Sequence, residues 1–147
     1  MTTSNDEYAP SPRDWVRSDV DKVQAAGTTD AIDVSGLPVV VMTTRGARSG
    51  KLRKVPLMRV EHEGVYVAVG STSGDPKNPV WYYNLKADPK VTLQDGAVTK
   101  EYVARELEGA EYDEWWERSV AAFPAYAEYQ AKTSRKIPQF LLEPVGH

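Results

Sequence analysis

The 147-residue chain contains no cysteine. That excludes disulfides, thiolate-held metals and a cysteine nucleophile. Histidine is nearly as scarce, with only His62 and His147 present, and His147 is the last residue. A histidine metal cluster or a serine–histidine–aspartate triad would therefore rest on His62 alone, inside a Glu-His-Glu-Gly turn. No apolar run approaches the roughly 20 residues that a membrane span needs. The first ten residues are polar and acidic rather than basic then apolar, which is not the pattern of a secretory signal, so a cytoplasmic location is expected. There is no internal repeat, and the length suits one domain with a real core. In a chain this poor in redox-active and nucleophilic side chains, enzyme chemistry would have to come from a bound cofactor.

Positive charge is concentrated in one place. From Val39 to Val60 there are six Lys or Arg and no Asp or Glu; with −3 overall, the remainder of the chain carries −9. The basic residues fall around Thr43-Thr44-Arg45-Gly46-Ala47-Arg48-Ser49-Gly50-Lys51-Leu52-Arg53-Lys54-Val55-Pro56, between two strand-like runs. The pattern predicts a β-hairpin over Val39–Thr44 and Arg53–Glu61 with a glycine-containing cationic tip. Such a tip suits an anion: glycines let backbone N–H groups approach, hydroxyls donate, and Arg and Lys neutralise charge. A Walker loop does not fit, because Arg45 stands where its first glycine belongs and Leu52 where its hydroxyl belongs. A Rossmann turn would lead into a helix, whereas Pro56 and its neighbours continue as a strand. The pI near 5.4 argues against a surface that tracks nucleic-acid phosphates. A plain solvated hairpin tip stays open at this point.

The remaining chain alternates short helices and strands. Residues 1–12 are expected to be a disordered tail and 13–147 a single domain. Ser11 and Pro12 read as the cap and first residue of a helix in which Trp15, Val16, Val20 and Val23 share a face and which ends by Gly27. That face either packs on the domain or leaves Trp15 and Val16 to gate a ligand or touch a membrane. Asp14, Asp19 and Asp21 weigh against the membrane. Asp33–Pro38 reads as a linker. Val65–Gly70 alternates with period two and predicts a strand whose small face, Ala68 and Gly70, either admits a flat ring or marks a tight barrel interior. Ser71–Lys77 is a hydroxyl-rich loop, and Asn78-Pro79 reads as cap and first residue of a helix ending near Ala87. Asp95-Gly96 marks a further hairpin, Gly109–Ala122 an amphipathic helix stopped by Pro124, and Ile137–Pro144 a final strand. Phe123, Tyr126 and Tyr129, spaced by three, form an aromatic row that would be core in most contexts. The pattern is antiparallel β with interposed helices, a small α+β barrel.

Three segments resemble one family, the deazaflavin (coenzyme F420)-dependent nitroreductases and quinone reductases. They are Thr43-Thr44-x-Gly46-x-Arg48-Ser49-Gly50-x-x-Arg53-x-x-Pro56-Leu57, then Lys77-Asn78-Pro79-Val80-Trp81-Tyr82-Tyr83-Asn84-Leu85-Lys86-Ala87-Asp88-Pro89, then Phe123-Pro124-Ala125-Tyr126-Ala127-Glu128-Tyr129-Gln130 with Ile137-Pro138. The likeness runs in order from about Leu37 to Val145, and the central segment is the specific one. It implies a split β-barrel of the flavin-reductase and pyridoxamine-phosphate-oxidase type with flanking helices, using reduced F420 to transfer a hydride to quinones and, promiscuously, to nitroaromatic compounds. By position it implies that Arg48, Ser49, Lys51 and Arg53 hold the cofactor's anionic end, with Lys54 assisting. Pro56, Leu57, Met58, Ala68, Gly70 and Ser71 would approach the ring, and Asn78, Pro79 and Trp81 would shape the wall. Tyr126, Tyr129 and Ser71 would serve the acceptor as catalytic donors. The family often carries a base where Ala47 and Thr72 stand, an aromatic at Met58 and a methionine at Val80, so contacts at those points are altered here. An FMN-dependent enzyme on the same barrel and a non-catalytic F420 carrier remain alternatives. Split barrels often pair, so a homodimer is compatible with the resemblance. Peripheral contact with the inner face of the cell membrane would fall to the first helix.

Overall fold

The structure, a computed structural model, describes residues 8, 10–11, 13–34, 36–71 and 77–145. Most of the 1–12 tail, Pro12, the Thr72 position with the rest of the 72–76 stretch, and His147 lie outside them.

Seven antiparallel strands form one sheet: β1 (Val39–Arg45), β2 (Leu52–Met58), β3 (Glu61–His62), β4 (Val65–Val69), β5 (Lys90–Asp95), β6 (Val98–Glu106) and β7 (Gln139–Pro144), in the order β2-β1-β5-β6-β7-β4-β3. Among the described residues four α-helices accompany it: α1 (Asp14–Ala26), α2 (Val80–Ala87), α3 (Gly109–Ala122) and α4 (Ala125–Lys132). Strand alternation separates two apolar clusters. Val40, Met42, Ala68, Leu93, Phe140 and Leu142 face the barrel interior, into which α2 inserts Trp81 and Leu85. Val39, Met58, Val67, Val69 and Leu141 face the other way and meet Tyr112, Trp115 and Tyr126 from α3 and α4. Both faces of β4 are thus buried, and Ala68, fully enclosed, serves the tight interior rather than a ligand face.

The sheet curls because its two ends approach each other. After Met58 the chain leaves β2, Arg59 N–H donates to the Pro38 carbonyl, and the Val60 carbonyl accepts from Val67 N–H of β4. The single long strand expected over Arg53–Glu61 is accordingly broken at Arg59 and Val60. Arg59 is then held by Asp95, which also receives the Tyr66 hydroxyl at 2.5 Å. Pro56 is tolerated because β2 is an edge strand, paired on one side with β1 in the register Val41↔Pro56. Its other edge is met by the N-terminal segment, where Tyr8 bridges Leu52 in parallel and the Pro10 carbonyl accepts from Arg53.

Several boundaries shift from the sequence reading. Helix α1 begins at Asp14 with Arg13 at the cap position, and Ser11 Oγ accepts from Arg13 N–H one step earlier. The stop at Gly27 is as expected, in the left-handed region at φ 76°. Helix α2 begins at Val80 with Pro79 as its cap, so Asn78 is not the cap; its side chain is taken by Arg135 instead. The 33–38 linker contains a small Val34↔Leu37 bridge, and the last strand starts at Gln139 rather than Ile137.

Buried polar contacts fix α3 against β7. Ser119 Oγ donates to Gln139 Oε1 at 2.8 Å, Gln139 Nε2 donates to the Tyr112 carbonyl at 2.9 Å, and the Tyr112 hydroxyl donates to the Ile137 carbonyl. These three satisfied contacts set the exit of α3, and hence where Pro124 starts α4 and its tyrosines.

Candidate active site

The basic hairpin is held open in a defined shape. Gly46 N–H donates to the Lys51 carbonyl at 2.7 Å, and Gly50 N–H to the Gly46 carbonyl at 2.9 Å. Gly50 sits at φ 71°, a conformation few other residues adopt. A Cβ on Gly46 would stand 2.9 Å from Ser49 Oγ and 3.3 Å from the Lys51 carbonyl. Arg45 turns back to donate to the Gly50 carbonyl, and Ser49 Oγ accepts from Lys51 N–H. The tip is also anchored to α2: Asn84, only 4% exposed, accepts from Ala47 N–H at 2.9 Å and donates to Thr44 Oγ1 at 3.2 Å. Hence Arg45 and Asn84 shape the turn while Arg48, exposed and with no ion pair or hydrogen bond among the described residues, faces outward.

Beneath this hairpin lies a cleft of about 1110 Å³, a little above the roughly 300–1,000 Å³ typical of small-molecule sites. Among the described residues its lining carries Arg13, Arg48, Arg53 and Lys54 against two acids, Asp19 and Asp33. Its floor is apolar, formed by Pro56, Leu57, Met58, Val69, Pro79 and Trp81. The far wall is Phe123, Tyr126 and Tyr129, packed ring to ring with Phe123–Tyr126 centroids 5.0 Å apart and Tyr126–Tyr129 centroids 6.4 Å apart.

Tyr126 is the site's least ordinary group. It is 3% exposed, it lines the cleft, and its hydroxyl makes no hydrogen bond with the described residues. The ring is packed away, but the hydroxyl oxygen is not sealed from solvent: it opens on the cleft. Burial, and secondarily Tyr129, pushes its pKa well above the ordinary 10.0, so it stays a neutral O–H donor at any physiological pH. An elongated ligand with an anionic end and a flat ring, accepting a proton or a hydrogen bond at the ring's far side, would satisfy both ends of this cleft.

Of the residues expected from sequence, Arg48, Ser49, Arg53, Pro56, Leu57, Met58, Ser71, Pro79, Trp81, Tyr126 and Tyr129 are brought together on the cleft lining. Lys51, Ala68, Gly70 and Asn78 are not on it. Gly70 is where a wall closes: a Cβ there would come within 2.9 Å of Pro138 and 3.3 Å of Pro79. The lining adds residues that the sequence reading gave no site role, among them Arg13, Asp19, Ile32, Thr44 and Asn84. Those from α1 and from 32–34 are remote in sequence from the hairpin and carry no local motif. Asn84 sits inside the central segment, and its burial is the signal that only the structure supplies. Trp15, 57% exposed, and the buried Val16 both line the cleft, while Val20 and Val23 are buried away from it. The apolar stripe of α1 is thus divided between packing, through Val20 and Val23, and the cleft wall, through Trp15 and Val16. Among the described residues no helix is long and apolar enough to cross a membrane.

The geometry has counterparts. The chain is 32% identical over 108 residues to an F420H(2)-dependent quinone reductase of Mycobacterium tuberculosis (strain ATCC 25618 / H37Rv), covering 71% of this chain and 72% of that one. Among solved structures it is similar to an F420-H2 dependent reductase (FDR-A), with 54% identity, a TM-score of 0.70, and coverage of 76% of this chain and 99% of that one. A second solved chain, described as a domain-swapped dimer, is 53% identical with a TM-score of 0.72 over 90% of this chain and 100% of its own. A pyridoxinephosphate oxidase family protein of Clostridium acetobutylicum, at 13% identity and a TM-score of 0.51 over 86% of this chain and 84% of that one, shares the fold alone and marks it as a split barrel. The profile of the F420H(2)-dependent quinone reductases matches residues 15–144, taking in the hairpin, the apolar floor and the tyrosine wall together. A cationic hairpin and an orphaned tyrosine facing one cleft are thus the features of a chain that belongs to the F420H(2)-dependent quinone reductase family.

Proposed function

We propose that this chain binds reduced F420 in the cleft and reduces quinones and, less selectively, nitro compounds. The observation that carries the reading is the placement of an unpartnered, protonated Tyr126 across one cleft from a preshaped cationic hairpin. The residues fit such a coenzyme. Arg48 and Arg53, with Ser49 and Lys54, would hold its anionic end through charge-assisted hydrogen bonds. Pro56, Leu57, Met58, Pro79 and Trp81 would enclose its ring. Lys51, Gly70, Ala68 and Asn78 act at one remove, shaping the turn and walls. When bound, the coenzyme supplies a hydride, and a quinone that takes it together with one proton becomes a hydroquinone.

The chain's own work is to exclude water, align the partners and donate at the acceptor oxygen. The ring-packed wall of Phe123, Tyr126 and Tyr129 provides the dry face. Tyr126, held neutral by its burial, donates to the oxygen on which negative charge grows and can pass its proton there. Ser71, 9% exposed and on the lining, would be a second donor. A nitro group also gathers negative charge on oxygen as it is reduced, so the same donors suit it. The domain-swapped dimer seen for a 53% identical chain supports extending the reading to a homodimer here.

The test is an F420 titration by fluorescence, then F420H2 oxidation with menadione and a panel of nitroarenes. Saturable F420 binding with menadione reduction is expected, and the Arg48→Ala/Arg53→Ala double variant should bind F420 much more weakly. Equal affinity in that variant would remove the hairpin from the site. Tight binding of FMN but not F420 would favour the flavin enzyme, and F420 binding without turnover would favour a carrier.

A further inference from the structure

We propose that Arg135 is a positioning residue that locks the two walls of the cleft at a fixed separation; the proposal rests on the hydride-transfer reading above. Arg135 follows α4, the helix bearing Tyr126 and Tyr129, and its guanidinium reaches to the opposite wall. Nη1 donates to Asn78 Oδ1 at 2.9 Å and Nη2 donates to the Ser71 carbonyl at 3.0 Å. Ser71 follows β4, and Asn78 immediately precedes Pro79 and Trp81. One planar fork therefore grips the chain on both sides of the connection from β4 to α2, at the two points where it borders the cleft floor.

The arginine is itself anchored at its base. Gln130 of α4 donates through Nε2 to the Arg135 carbonyl at 2.8 Å and accepts at Oε1 from Ile137 N–H at 3.0 Å. Thr133 Oγ1 accepts from Arg135 N–H at 3.3 Å. Pro138, three residues on, occupies the space beside Gly70, whose N–H donates to the Pro138 carbonyl at 2.9 Å. The path from Tyr126 through α4, Gln130 and Arg135 to Ser71 and Asn78 is thus continuous and hydrogen-bonded throughout. Arg135 is not on the cleft lining, so it acts on the reaction through the groups it holds.

The separation matters because the floor carries the donor ring and the tyrosine wall faces the acceptor. Hydride transfer needs the reacting atoms at near-attack distance, and a displacement of about 1 Å can cost about a hundredfold in rate. Both contacts are charge-assisted and are made by one rigid fork, which a lysine cannot reproduce with a single point donor. Losing the fork would free the walls without removing any group that touches the ligands.

The experiment compares wild type with Arg135→Gln, Arg135→Lys, Asn78→Ala and the Arg135→Gln/Asn78→Ala double variant. F420 affinity, kcat and KM for menadione, and amide hydrogen exchange over residues 69–71 and 77–81 without ligand are measured. Arg135→Gln is expected to lower kcat about tenfold or more by misalignment, to leave F420 affinity near wild type, and to speed exchange at both ends of the gripped segment. Asn78→Ala, which removes one arm without touching charge, should show part of the same effect. The double variant should be no worse than Arg135→Gln, since both act on one contact, and Arg135→Lys should recover little. A lower melting temperature with kcat and exchange unchanged would overturn the proposal in favour of plain stabilisation. A salt-dependent loss of F420 affinity would overturn it in favour of direct charge contact. If the wild type reduces no quinone, the functional reading falls instead, and unchanged exchange in Arg135→Gln would then sink the strut as well.

Discussion

The two ends of the cleft are built on opposite terms. The hairpin end is wet, charged and local. Its turn is shaped by bonds between residues a few positions apart, such as Gly46 to Lys51 and Arg45 to Gly50, together with a long-range tie from Asn84. The tyrosine end is dry and assembled from afar: α3 is fixed on β7 by Gln139, and α4 then presents Tyr126 to a cleft whose floor belongs to β2 and β4. Exposed cations that grip an anion keep their hydration until the ligand arrives, so they cost folding little. The tyrosine ring is packed away while its hydroxyl opens on the cleft, so the donor is oriented before any ligand arrives. On the proposed reading, binding falls to solvated cations and transition-state stabilisation to a donor held in place by packing.

Removing the hydroxyl at the dry end should break this comparison most visibly. Tyr126→Phe is expected to lower kcat by about 2.7–4 kcal/mol of lost donor stabilisation, with F420 affinity held. Because the hydroxyl makes no hydrogen bond among the described residues, its loss should leave stability unchanged or raise it. Steady-state kinetics with menadione and a thermal melt on the same sample check both halves. A variant that melts lower and turns over normally would mean that Tyr126 is ordinary core.

The contrast also explains what the sequence disclosed. The hairpin was legible because its cations and glycines are contiguous, so composition alone located it. The strand alternation of Val65–Val69 was legible for the same local reason. Tyr126 and Tyr129 could be numbered as an aromatic row, but only tertiary placement separates a cleft-facing tyrosine from core. Asn78 illustrates the limit: the Asn-Pro pair carries a strong helix-cap signature, yet the competing guanidinium of Arg135, far along the chain, takes its side chain. Arg13 and Asp19 reach the cleft only because α1 folds across the hairpin, which no local pattern encodes.

A second perturbation tests the tie from Asn84 at the wet end. Asn84→Ala leaves the buried Thr44 hydroxyl and the Ala47 N–H without their partner, which should cost about 1–3 kcal/mol of stability. A lower denaturant midpoint together with weaker F420 binding is expected, since the tip that carries Arg48 loses its anchor. Weakened stability with unchanged F420 affinity would show that the turn's internal bonds suffice.

Arg48→Ala probes the same end from its exposed side and should act on affinity alone. With no ion pair or hydrogen bond among the described residues, Arg48 contributes little to folding, and stability should stay within about 0.5 kcal/mol. F420 affinity should fall by about tenfold, the equivalent of 1.4 kcal/mol, and the remaining affinity should depend less on salt. Fluorescence titrations at two ionic strengths read both numbers.

The smallest effect belongs to pH. Burial raises the pKa of Tyr126 above its ordinary 10.0, so the folded protein holds this proton where the unfolded chain releases it. The resulting stability is fully present below pH 10 and is lost as pH rises toward the folded value, because ionisation then favours the unfolded state. By about pH 11 the loss from one such group reaches up to about 1.4 kcal/mol. Tyr66 and Tyr112 are raised as well, chiefly by burial, so the wild type alone cannot isolate Tyr126. The difference between wild type and Tyr126→Phe does: the wild-type melting temperature should fall more steeply between about pH 9 and 11, while the two curves run parallel below that. Parallel curves throughout would mean that Tyr126 is hydrated at the cleft and not dry, and the distinction between the two ends would collapse.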